Sequence, residues 1–84
     1  MNSKQAKTLA AIFAQLTPAN VPWKNVESLL VAVGCAVSEG KGSSVRFELG
    51  AESVRFHRPH PAKEAKRYQV GDARTFLTKI GVTP

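Results

Sequence analysis

The chain has 84 residues, of which 43% are hydrophobic and 21% charged, with a net charge of +6 and an isoelectric point near 10.0. A chain this short folds as one domain, hiding only about 60% of the surface that its unfolded form exposes, and six aromatic residues with charge of both signs exclude a disordered tail. The basic field draws polyanions, nucleic acid first and an acidic protein surface second.

Lys4 and Lys7 are followed by no continuous apolar stretch, and no window approaches the roughly 18 apolar residues of a membrane span, so neither export nor membrane insertion is expected. After Ser3, the residues Leu9, Ile12, Phe13 and Leu16 recur at i, i+3, i+4 and i+7, which predicts one apolar helix face. Thr17-Pro18-Ala19-Asn20-Val21-Pro22 breaks that helix, so residues 1–22 read as a helix and linker ahead of a domain over 23–84. Val26, Leu29, Leu30 and Val33 repeat the helical spacing, and Gly34 stands at a cap position, giving a second helix from about Trp23 to Val33. Trp23 reads as a core or helix-entry residue.

From Cys35 the period becomes two. Cys35 and Val37 form a short strand, and Val45, Phe47 and Leu49 then alternate with Ser44, Arg46 and Glu48. Cys35 is the single cysteine; without a partner it fits a reducing cytoplasm. Val54 and Phe56 alternate with Ser53, Arg55 and His57, and Gly50-Ala51 suits a two-residue hairpin turn with glycine first. That turn fixes a register in which Phe47 faces Val54 and Val45 faces Phe56 on one side, while Arg46 faces Arg55 and Ser44 faces His57 on the other. Two opposed arginines are unfavourable unless an anion or a neighbour such as Glu48 lies between them.

Arg58-Pro59-His60-Pro61 must leave the sheet, because proline cannot donate to a ladder. Val70, Ala73, Leu77 and Ile80 form the stripe of a last helix that closes at Gly81. The expected fold is α+β, in the order α-α-β-β-β-α, with a three-stranded antiparallel sheet, helices on one face and the other face open. On that open face Arg46, Arg55 and Arg58 are expected beside Ser44 and His57, as contacts for phosphates and 2′-hydroxyls. Lys41, in the turn Gly40-Lys41-Gly42-Ser43, and Lys63 add to the basic surface. Two histidines and one distant cysteine have neither the number nor the spacing of a zinc site, so no metal or other cofactor is expected.

Gly42-Ser43-Ser44-Val45-Arg46-Phe47, a strand leading to Pro59-His60-Pro61, and a helix ending Leu77-Thr78-Lys79-Ile80-Gly81 resemble HicA-family toxins, over about Trp23 to Val82. The resemblance implies a fold like double-stranded-RNA-binding domains and a metal-independent endoribonuclease. Its target would be messenger RNA, and a HicB-type antitoxin would hold it inactive in a hetero-oligomer. It also places Ser44 where the family commonly has a catalytic histidine, in Gly-Ser-His. Histidine, with an ordinary pKa near 6.5, suits removal of the ribose 2′-hydroxyl proton, whereas a serine hydroxyl is no base at neutral pH. Three readings are open: the chain binds RNA without cutting it, a histidine was replaced to disarm a toxin, or His57, across the hairpin, supplies the base.

Overall fold

The computed structural model describes all 84 residues, and its elements follow the predicted order: three helices and a three-stranded antiparallel sheet, α-α-β-β-β-α. The first helix, α1 (Ser3–Ile12), begins at Asn2, whose side chain accepts from the Gln5 N–H at 2.8 Å while the Gln5 side chain accepts from the Asn2 N–H at 2.9 Å. This reciprocal capping box satisfies two donors that a helix start leaves free. Leu9 and Ile12 are buried, but Phe13 already caps the helix, so Leu16 lies beyond it and is 88% exposed. The expected four-residue stripe loses its last member because the helix stops a turn early.

The second helix, α2 (Trp23–Ala32), buries Trp23, Val26, Leu29 and Leu30. It ends at Gly34, whose φ of +107° turns the chain toward the sheet. Cys35 is buried, yet all four residues of β1 (Ala36–Glu39) are exposed. Val37 lies opposite Phe47 on the apolar side but is 41% exposed, because β1 is an edge strand beyond the reach of the helices.

The central strand β2 (Ser44–Leu49) pairs with β1 on one side and β3 (Glu52–His57) on the other. Gly50, at φ +60°, starts the connecting turn, and the register is the expected one: Val45 opposite Phe56, Phe47 opposite Val54, Arg46 opposite Arg55, Ser44 opposite His57. Phe56 stacks edge-on against Trp23 at 5.0 Å and against Phe47 at 6.1 Å, which fastens α2 to the sheet.

The third helix, α3 (Arg67–Lys79), buries Val70, Ala73 and Leu77 as predicted and adds Gln69 and Phe76. It packs on β3, while α1 packs against α2 and α3. Leu9 and Ile12 therefore join the same sixteen-residue core as Trp23, Phe47 and Leu77. Arg74 secures this join by donating to the carbonyls of Ile12 at 2.7 Å and Ala14 at 3.2 Å, groups that the end of α1 leaves without helical partners. No helix is long and apolar enough to cross a membrane.

Candidate functional site

Strand alternation turns Ser38, Arg46, Arg55, Ser44 and His57 to the face that carries no helix. Ser44 opens β2, and its position depends on a glycine. Gly40 donates its N–H to the Ser44 carbonyl at 2.9 Å, and the Ser44 N–H donates to the Lys41 carbonyl at 3.1 Å. A Cβ at residue 40 would lie 2.9 Å from Ser44 Oγ, so only glycine allows this approach. Ser44 is consequently just 8% exposed although it faces outward. Ser38, Gly40, Ser44, Arg46 and Arg55 line a depression of about 140 Å³ beside it.

The opposed arginines are resolved unequally. Arg46 pairs with Glu48 at 3.5 Å, an exposed contact that solvent weakens. Arg55 takes part in none of the fold's ion pairs, leaving its guanidinium available to an anion. Lys41 sits exposed in the adjoining turn, whose tip is Gly42 at φ +59°.

His57 is exposed and borders Ser44 from the β3 side without lining the depression. Its backbone is held from beneath by Gln69, which is 1% exposed. Gln69 Nε2 donates to the His57 carbonyl at 2.7 Å, and Gln69 Oε1 accepts from the Lys66 N–H at 2.9 Å. One partner can only accept and the other can only donate, so the amide has a single allowed orientation.

The expectation that Arg58 shares the open face is overturned. One residue after His57, it points to the opposite side, where its guanidinium contacts Glu27 at 2.9 and 3.1 Å and Glu39 at 2.6 and 2.9 Å. Trp23 Nε1 donates to the same Glu27. These bonds hold the Glu39 carboxyl below its ordinary range and raise the guanidinium further above its own. The Arg58 N–H also donates to the Ser43 carbonyl at 2.9 Å, so Arg58 braces the turn leading into Ser44.

Lys63 also stands apart from the open face. It lines a groove of about 740 Å³ between Pro22, Trp23, Lys24 and residues 59–64. Backbone bonds from Trp23 N–H to the Lys63 carbonyl at 2.8 Å and from Ala65 N–H to the Val21 carbonyl at 2.7 Å form its base.

No three His, Cys, Asp or Glu side chains gather anywhere in the fold. Burial raises the pKa of Cys35, making its thiol a poor nucleophile. Sequence reasoning missed Gln69, Glu27 and Glu39. The four-residue spacing of Trp23 and Glu27 and the three-residue spacing of Lys66 and Gln69 were the signals available.

The open face thus combines an imidazole, an unpaired guanidinium, a turn lysine and two hydroxyls around a small hollow. That set can hold a phosphodiester and take a proton from a neighbouring hydroxyl. A family model described as HicA toxin of bacterial toxin-antitoxin matches residues 23–82. No curated protein and no solved structure matches. The matched span takes in α2, the whole sheet and α3, and with them every residue of the open face.

Proposed function

The chain belongs to the HicA toxin family, toxins of bacterial toxin–antitoxin systems, and from that premise we propose that it binds messenger RNA across the open sheet face and cleaves it. The observation that carries this reading is the Ser44–His57 cross-strand pair beside the depression lined by Arg46 and Arg55. Directly opposed residues keep their Cβ atoms about 4.5–5.5 Å apart. An imidazole at 57 therefore reaches a group lodged above Ser44, the position where the family commonly carries its histidine.

In the proposed reaction His57 takes the proton of a ribose 2′-hydroxyl. The 2′-oxygen forms a bond to phosphorus, the bond from phosphorus to the 5′-oxygen breaks, and the leaving oxygen takes a proton from solvent. The products are a 2′,3′-cyclic phosphate and a 5′-hydroxyl. Arg55 and Arg46 counter the charge that gathers on the phosphoryl oxygens, and Lys41 holds a neighbouring phosphate. Arg58 keeps the Ser44 turn in place rather than touching RNA, and Lys63 enlarges the basic surface away from the reacting group. The chemistry uses no metal or other cofactor. A HicB-type antitoxin occupies the same face in the inactive complex, and the site of action is the cytoplasm, where a lone reduced thiol such as Cys35 persists.

A second reading, RNA binding without cleavage, is favoured by the hydroxyl at Ser44, which cannot act as a base. Incubating the purified chain with a mixed-sequence RNA and chelator, beside Ser44→His and His57→Ala variants, separates the two. Cyclic-phosphate products that disappear with His57→Ala support cleavage by His57. Cutting by Ser44→His alone assigns the chain to the binding reading, and absence of both cutting and binding overturns both.

A further inference from the structure

The widest hollow in the molecule is the groove between the start of α2 and residues 59–64, and the reaction proposed above makes no use of it. Lys24, His60 and Lys63 line it with the rings of Pro59 and Pro61, and Glu64 is the single acid on its wall. Neither lysine has a carboxylate partner among the fold's ion pairs.

The groove is preformed. The two backbone bonds at its base join residues 21–23 to 63–65, and proline on both sides of His60 restricts the loop. Flat apolar rings next to cations suit an unstacked base with its phosphate, the usual target of single-strand RNA recognition. His60 follows His57 by three residues, at most about 11 Å of extended chain, so a strand running off the open face past His57 meets the groove next.

We propose that this groove is a subsite for the single-stranded RNA flanking the cleavage position. An unstacked base lies against Pro59, His60 and Pro61, and its phosphate is held by Lys24 and Lys63. The proposal rests on the RNA reading of the open face and extends it. An acidic polypeptide is the less suited occupant, because it has no planar group to set against the rings.

The test uses the full chain and 2′-O-methyl oligouridines, which lack the attacking hydroxyl, in lengths of about four and about twelve nucleotides. Affinity is measured by fluorescence anisotropy across a salt series, for the parent chain and for Lys24→Ala/Lys63→Ala. Both lysines are exposed, and circular dichroism confirms that the fold survives. The double variant is expected to weaken the long RNA about tenfold at low salt and to reduce its salt slope by about 1.4, or 0.7 per lost phosphate contact. It is expected to weaken the short RNA far less. In the parent chain, the long RNA is expected to shift the amide resonances of His60 and Lys63 and the short one to leave them in place.

Equal losses for both lengths, or an unchanged long-RNA slope, overturn the subsite and leave the open-face reading intact. A parent chain that binds neither RNA overturns both. If polyglutamate shifts the His60 and Lys63 resonances and the long RNA does not, the groove is a protein-binding surface and the proposal fails.

Discussion

Replacing Gln69 with leucine keeps the side chain's bulk and removes both polar atoms from a position that is 1% exposed. The His57 carbonyl then loses its 2.7 Å donor and the Lys66 N–H its 2.9 Å acceptor. A part-buried backbone group left without a partner costs about 1–3 kcal/mol. Both groups lie near solvent, so the low end applies to each and the sum is about 2 kcal/mol. For a domain of this size that lowers Tm by roughly 8–16 °C. Urea unfolding should show a lower midpoint with an unchanged slope. A change below about 0.5 kcal/mol would mean that water replaces the amide completely, and would refute the claim that Gln69 anchors His57. Gln69→Glu adds a check of sign. A carboxyl at 69 can donate to the His57 carbonyl only when protonated, so its pKa is raised on folding. The stability of that variant is then present at low pH and lost as pH rises through the raised value.

Gly40→Ala should cost about 1–2 kcal/mol in urea unfolding, because the new Cβ meets Ser44 Oγ at 2.9 Å and Ser44 Cβ at 3.0 Å; Ser44→Gly in the same chain should recover most of the loss, and purely additive effects would contradict the contact. The Arg58–Glu39 bonds lower the pKa of Glu39 on folding, so their contribution is present above the ordinary carboxylate range and is lost as pH falls through the lowered value. Melting temperatures recorded from pH 7 to pH 2 should therefore fall less steeply for Glu39→Gln than for the parent, and parallel curves would contradict this. Cys35, buried and with its pKa raised, should react with iodoacetamide far more slowly in the native chain than in urea; equal rates would contradict its burial.

The sheet was legible because its determinants are local. Gly50-Ala51 sets the hairpin, and the two-residue period then forces each polar residue of β2 opposite its polar partner on β3. The open face, the Ser44–His57 pair and the opposed Arg46 and Arg55 all follow from that one turn. Leu16 was misplaced because periodicity alone does not say where a helix stops, and α1 ends at Ile12. Arg58 was misplaced for a different reason: its partners, Glu27 and Glu39, come from α2 and the end of β1, and only the tertiary fold brings two distant carboxylates to one guanidinium. Alternation continued one step past His57 would have turned Arg58 toward the helices. Gln69 escaped notice because a polar residue at a helix start reads as surface until the strand end beneath it is known.

Arg74 reaches from α3 to the last carbonyls of α1, while the family match starts only at residue 23. The stretch that carries the family's signature and the stretch that seals this molecule's interior are therefore different lengths of chain. A version trimmed to the recognisable span would keep every residue of the open face, yet uncover the sides of α2 and α3 that Leu9 and Ile12 now shield. Here the ancestral-looking part borrows its watertightness from a segment that bears none of the signature.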